Sequence, residues 1–204
     1  IAIYTKSDES LYLIRDRIGV KPLYLYDDGV ELIFSSEIKS ILAAGIPSPN
    51  LNKIALHHYL TFNYVPIPYT MYENIRHVMP GTYLKITREV VEEVRWWDLS
   101  KIYPDINKTE EEWVTEFNEL LDDAVRIRLR CDVPFGAFLS GGVDSSTIVG
   151  LMSKHMEEPV KTFCIGFEDP RFDESMYAKI ASERFGTDHL MEKVEADMLD
   201  LWPL

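Results

Sequence analysis

Phe138-Leu139-Ser140-Gly141-Gly142-Val143-Asp144-Ser145-Ser146 stands between an apolar run and a stretch of helical pattern, and its reading decides the fold. Val133 to Leu139 reads as a buried strand and Ser145 to Met156 as a helix, so the nine residues straddle a strand-to-helix turn. Ser140, Gly141 and Gly142 offer a tight turn with no bulky side chain in the way of an anion, so backbone N–H groups can surround phosphate oxygens. The following helix adds its positive end, and the Ser145 and Ser146 hydroxyls can donate to the same anion. Asp144 is the odd member, because a carboxylate beside polyphosphate is repelled unless a divalent cation lies between them; Mg²⁺ is implied, with Asp144 on its side. This is not the G-x-x-x-x-G-K-[ST] loop, since no lysine follows the glycines.

Downstream, Val160 to Phe167 reads as a strand, Asp173 to Phe185 as a helix closed by Gly186, and His189 to Val194 as a strand. A β-α-β-α-β order implies a parallel sheet with right-handed crossovers, in which ligands bind where strands give way to helices. Upstream, Thr109-Glu110-Glu111-Glu112 fits a capping box, and Trp113, Phe117, Leu120, Leu121 and Ala124 recur at helical spacing. Arg126, Arg128 and Arg130 sit toward the negative end of that helix and read as solvated surface.

The first third has a different grammar. Leu11 to Ile14 follows the polar turn Ser7 to Ser10, and Pro22 to Tyr26 joins Val30 to Phe34 through Asp27-Asp28-Gly29, a hairpin signal. Ser36 is placed to cap a short helix reaching about Ala44, with Gly45 as its left-handed stop, and a second helix starts at Asn52. Pro66 and Pro68 exclude a regular element between Asn63 and Tyr69. Pro80-Gly81 then leads into a pair of strands, Thr82 to Ile86 and Val90 to Val94. The expected organisation is an antiparallel β domain with helices over 1–95, a linker over 96–108 and a parallel α/β domain over 109–204. Ile1 to Thr5 already reads as a strand and Asp200 to Leu204 as the first turn of a helix, so the chain is expected to be an internal piece of a longer protein.

Composition sets limits on partners. Lys plus Arg number 21 against 34 Asp plus Glu, a formal charge of -13, which disfavours a nucleic-acid-binding role. No apolar run approaches the roughly 20 residues of a membrane span, and the start lacks a secretory signal, so a soluble, cytoplasmic protein is expected. Cys131 and Cys164 lack metal-ligand spacing and are expected to be small core residues. His57 and His58 point to different faces of a helix, and His77, His155 and His189 have no partner in sequence, so no metal site is assigned to them.

The S-G-G-x-D-S pattern resembles the pyrophosphate loop of N-type ATP pyrophosphatases. Phe163-Cys164-Ile165-Gly166-Phe167-Glu168, then Phe172-Asp173-Glu174-Ser175, Tyr177-Ala178 and Phe185-Gly186-Thr187-Asp188-His189 are similar to the run after that loop in asparagine synthetases. Arg15 to Tyr24, with Ser36-Glu37-Ile38-Lys39, is similar to the end of the N-terminal glutaminase domain of the same family, so the resemblance runs almost end to end. It implies the C-terminal part of an N-terminal-nucleophile glutaminase domain followed by the start of an adenine-nucleotide α-hydrolase-like domain. The implied activity uses ATP, Mg²⁺, aspartate and glutamine: ammonia from glutamine meets an acyl-adenylate, and AMP and pyrophosphate leave. The N-terminal cysteine nucleophile of that family is not in this sequence, so no catalytic residue is assigned and the chain alone is expected to be inactive.

By position, Ser140, Gly141, Gly142, Val143, Asp144, Ser145 and Ser146 match the pyrophosphate-binding stretch, with Val143 as an aliphatic anchor under the loop. Leu139 and Ile165 match residues lining the adenine nucleoside pocket; plain core packing explains them equally well. Arg15, Asp16, Arg17 and Lys21 are expected to shape their domain rather than to catalyse, and Ser36-Glu37 either faces the ammonia route or starts a helix. Fold and loop do not select the acceptor, so a ligase for a cell-wall or surface-sugar acid stays open, as does a silent nucleotide-binding subunit. A tRNA-modifying sulfurtransferase is disfavoured by the acidic charge. A homodimer is left open as the assembly.

Overall fold

The computed structural model describes residues 1–46, 49–169, 171 and 173–194. The reading of Asp200 to Leu204 as a helix start, and the Phe172 position, lie outside the described residues. The chain divides into two compact units, Ile1–Pro104 and Asp105–Leu204.

The first unit contains two antiparallel sheets. One has the order β1-β2-β6-β7, formed by Ala2–Thr5, Ser10–Ile14, Thr82–Ile86 and Val91–Arg95. The other has the order β4-β3-β5, formed by Leu32–Ser35, Tyr24–Asp27 and Ile75–His77. Side chains alternate across a strand, and the core follows from that. Leu13 of β2 and Leu84 of β6 meet Leu25 of β3, with Leu23 and Val78, while the neighbouring Tyr26 turns to the opposite face with Ile75 and Ile41. Ile41 belongs to α1, Ile38–Leu42; the longer α2, Lys53–Phe62, is capped by the Asn52 side chain, which accepts from the Ile54 and Ala55 N–H groups.

The Asp27-Asp28-Gly29 hairpin forms as expected, with Tyr24 opposite Ser35 and Asp27 opposite Leu32. Asp28 secures it by accepting from the N–H groups of Val30 and Glu31, which hold its carboxyl below the usual range. The expectation that Ser36 caps α1 is corrected: Glu37 occupies the cap position without a side-chain bond, and it is Ser35 whose hydroxyl accepts from the Glu37 N–H. β5 has no counterpart in the sequence reading, because three residues carry too little pattern to be seen before their partner β3 is in place.

Arg15 and Asp16 act as a clasp inside this unit. Arg15, 6% exposed, donates through its guanidinium to the carbonyls of Val78 (2.5 Å), Lys21 (3.2 Å) and Gly19 (3.4 Å). Asp16 accepts from Lys21 and Val20 N–H groups at 3.0 and 2.9 Å, and these bonds hold its carboxyl below the ordinary value. Both residues spend their polar atoms on backbone, which fits the architectural role expected of the segment.

The second unit opens with α3, Glu110–Arg128, whose capping box is complete: Thr109 accepts from the Glu112 N–H and Glu112 accepts from the Thr109 N–H. A three-stranded sheet follows in the order β10-β9-β8, from Asp188–Val194, Lys161–Phe167 and Ala137–Phe138. β8 and β9 are parallel neighbours, Ala137 beside Thr162 and Phe138 beside Phe163, and β9 and β10 are parallel along seven residues. The helices α4, Val143–His155, and α5, Ser175–Phe185, supply the crossovers, and Gly186 ends α5 at φ +63°. Alternation along β9 buries Thr162, Cys164 and Gly166 on one face, and Cys164 packs with Leu139, Val149, Ala178 and Ala181.

Two expectations are corrected here. The run Val133 to Leu139 does not form one buried strand: only Ala137 and Phe138 pair, and Phe138 is 77% exposed. Pro134 lacks an N–H, and Gly136 lies so close to β9 that a Cβ there would sit 2.6 Å from the Lys161 carbonyl oxygen. Cys131 is exposed rather than a core residue; Cys164 is buried as expected, and burial, then Asp173 and Glu174, push its thiol up.

Candidate active site

The loop from Ser140 to Gly142 leaves β8 and enters α4 directly. Leu139, 1% exposed, anchors its near end in the core and donates its N–H to the Phe163 carbonyl at 2.8 Å. Gly141 takes φ +80°, a conformation that suits glycine. Gly142, the cap of α4, has no side chain to bond the free N–H groups of the first turn, so those groups remain directed outward. The Ser140 and Ser145 hydroxyls stand 3.1 Å apart, and Ser140 also accepts from the Gly142 N–H at 3.3 Å. Loop glycines, two seryl hydroxyls and the positive end of a 13-residue helix are thus gathered at one point.

Asp144 lies in the first turn of α4 and is exposed. Among the described residues no group of three or more His, Cys, Asp or Glu forms a metal cage. A single exposed carboxylate in that turn would nevertheless suit Mg²⁺, which keeps several waters and binds through one or two carboxylates together with substrate phosphates.

The other sequence-derived positions fall in different environments. Val143 is 82% exposed and does not anchor the loop; Leu139 and Val149 do that from below. The reason is helical geometry, since Val143 begins α4 on its outer side. Leu139 and Ile165 are not brought onto a common face: Leu139 packs with Cys164, whereas Ile165, 54% exposed, lies on the opposite face of β9 beside Phe163 and Phe167. Ser146 continues the helix, its N–H bonded to the Gly142 carbonyl.

Contacts that sequence spacing did not reveal bear on this site. The backbone of Tyr177 and Ala178, in the first turn of α5, lies directly against Gly141. Asp173, just before that turn, accepts from the Ser175 N–H, and Lys193 of β10 pairs with Asp173 at 3.2 Å. The unassigned histidines of this unit find partners of their own: His155 meets Asp122 at 3.0 Å, and His189 meets Thr162 at 2.9 Å.

Comparison with known proteins agrees with this division. Residues 1–97 match the family described as glutamine amidotransferase domain, and residues 116–204 match that described as asparagine synthase. The class is thereby defined: a glutamine amidotransferase domain followed by an asparagine synthase domain. A Methanocaldococcus jannaschii protein carrying the name asparagine synthetase (glutamine-hydrolyzing) 2 is 40% identical over 92% of this chain and 37% of its own length. Asparagine synthetase (glutamine-hydrolyzing) 1 of Bacillus subtilis is 33% identical over 96% of this chain and 30% of its own. A Penicillium rubens protein named amidase chyE is 32% identical over 97% of this chain and 31% of its own. The chain belongs to the glutamine-hydrolysing asparagine synthetase family, and it spans about a third of the length of these relatives. Among its described residues, no helix is long and apolar enough to cross a membrane.

Proposed function

We propose that this chain contributes the pyrophosphate-gripping part of an ATP-dependent, amide-forming ligase that makes asparagine from aspartate with ammonia drawn from glutamine. The observation that carries the reading is the Ser140–Gly142 loop, with its facing seryl hydroxyls, at the junction of a parallel strand and the free N–H groups of α4. A carboxylate oxygen of aspartate attacks the α-phosphorus of ATP, and the bond to the β,γ-pyrophosphate breaks. Negative charge gathers on the departing group, where preorganised donors act most strongly. The loop and first-turn N–H groups and the Ser140, Ser145 and Ser146 hydroxyls hold that group, while Gly141 and Gly142 let it approach the backbone. Ammonia then attacks the acyl carbon of the adenylate, and AMP leaves. Mg²⁺, when bound on the phosphates beside Asp144, neutralises charge there.

Both cysteines, Cys131 and Cys164, lie outside the amidotransferase unit, so residues 1–104 contain no thiol to attack glutamine. The purified chain should release no glutamate from glutamine; release above a buffer control would overturn this. The ligase reading is tested by pyrophosphate release against Mg²⁺ concentration in the full gene product. Asp144→Asn should lower turnover by on the order of a hundredfold or more. Equal rates and equal metal dependence in the two proteins would sink the role of Asp144.

A second reading concerns the acceptor alone. The fungal amidase chyE resembles this chain about as closely as the Bacillus synthetase does, 32% against 33%. A different carboxylate, including a cell-wall or surface-sugar acid, would use the same loop. Competition among carboxylates in the pyrophosphate assay separates the two readings.

A further inference from the structure

The loop is only as well placed as the helix it rests on. Gly141 lies so close to α5 that a Cβ built on it would stand 2.3 Å from the Tyr177 carbonyl carbon and 2.5 Å from the Ala178 nitrogen. The contact is backbone to backbone, so a shift of the first turn of α5 is passed to the loop with no flexible side chain to absorb it. Ala178 continues the same contact inward by packing with Leu139 and Val149, on either side of the loop in sequence.

The first turn of α5 is in turn held from below by one carboxylate. Asp173 Oδ1 accepts from the Ser175 N–H at 3.1 Å, and Oδ2 pairs with Lys193 Nζ at 3.2 Å. Lys193 lies on β10 in register with Gly166 of β9. Gly166 leaves the space that the pair occupies: a Cβ there would stand 3.1 Å from Asp173 Oδ1 and 3.3 Å from Lys193 Cγ. The Asp173 side chain is only 17% exposed, although that of Lys193 is 53% exposed. Bonds to Ser175 first, then Lys193, hold the Asp173 carboxyl down at about 2, so it is ionised wherever an enzyme of this kind would work.

We propose that Asp173 and Lys193 are positioning residues for the pyrophosphate loop, tying the ends of β9 and β10 to the first turn of α5 and, through Tyr177–Ala178, to Gly141. The proposal rests on the reading of that loop as a pyrophosphate site. Neither residue need touch the nucleotide; their action is on where Gly141 and its neighbours stand when the phosphates arrive. Positional errors at a reacting centre are costly, about 100-fold for 1 Å. A pair that holds the supporting helix therefore matters more to turnover than an exposed ion pair matters to stability.

The test uses the full gene product with three substitutions. Asp173→Asn keeps an acceptor for the Ser175 N–H and removes the charge, Lys193→Met removes the partner while keeping its aliphatic stem, and Lys193→Arg restores the cation. Hydrogen exchange over residues 139–148 reads loop placement directly, and pyrophosphate release reads its consequence. Asp173→Asn and Lys193→Met should each speed exchange in that stretch and lower kcat on the order of 10- to 100-fold with a smaller change in the KM for ATP. Lys193→Arg should recover most of both. Unchanged loop exchange in the first two variants, or a Lys193→Arg protein no better than Lys193→Met, overturns the proposal. A wild-type protein that never releases pyrophosphate sinks the ATP reading instead, while exchange still decides whether the pair positions the loop.

Discussion

Replacing Gly141 with alanine tests the structural basis of the loop with a single methyl group. At φ +80° an L side chain adopts a left-handed conformation costing about 1–2 kcal/mol. The new Cβ would also meet the Tyr177 carbonyl carbon at 2.3 Å and the Ala178 nitrogen at 2.5 Å, so α5 or the loop must move. Overpacking of that kind costs about 1–3 kcal/mol. Together the two effects come to about 2–5 kcal/mol, a large part of the roughly 5–15 kcal/mol that holds a domain together. For a unit of this size each kcal/mol lowers Tm by about 4–8 °C, so Gly141→Ala should melt at least about 8 °C below wild type. Gly142→Ala is the control one residue away. Gly142 has φ -67° and ψ 163°, open to any residue, and its nearest neighbour to a new Cβ is Ser140 Oγ at 3.4 Å. Loss of a good cap residue and reduced freedom of the unfolded chain nearly offset one another there, leaving a net change within about 1 kcal/mol. Melting followed by circular dichroism compares the two. A Gly141→Ala protein within about 2 °C of wild type, or a Gly142→Ala protein that loses as much, would refute the close approach of loop to helix.

Two further outcomes follow from the charges and thiols. Asp173 has its folded value depressed to about 2 from 3.8, so its stabilising effect is complete above pH 4 and is lost as pH falls toward 2. Acid melts should therefore show a Tm decline between pH 4 and 2 that is shallower in Asp173→Asn, and parallel curves would count against the ionised pair. Cys131 is exposed while Cys164 is buried with its thiol pushed up, so a thiol reagent should label one site quickly in the native protein. Cys131→Ser should abolish that fast phase, and a fast phase that persists would mean that Cys164 is reached by solvent.

The features legible in the sequence are those written within a few consecutive residues. The Thr109 capping box, the helix start at Asn52, the Asp27-Asp28-Gly29 hairpin and the left-handed stop at Gly186 all formed, because each is satisfied by bonds and dihedral angles inside one turn of chain. The S-G-G-V-D-S-S run was legible for the same reason, since a turn without side chains at the start of a helix is a local object. The parallel pairing of the strands on either side of α4 followed from the β-α-β order, which connection rules make nearly obligatory. Burial and pairing between distant residues were not legible. Val133 to Leu139 has the composition of a buried strand, yet a strand exists only as far as a neighbour pairs with it, and β9 pairs with Ala137 and Phe138 and takes one further bond from the Leu139 N–H. Cys131 stands between Arg130 and Asp132 and Cys164 between Phe163 and Ile165, a difference the sequence reading passed over, and the helices packed on one face of β9 make Cys164 core while Cys131 is exposed. Val143 looked like an anchor by type and is turned outward by the helix that begins at it. Asp173 and Lys193 lie on separate elements, and Gly141 and Tyr177 likewise, so nothing in either neighbourhood announces the other. The set of donors gathered at the loop was determined by local sequence, whereas the support that fixes its position was decided by tertiary structure, because rigidity comes from contacts between segments the chain brings together only on folding.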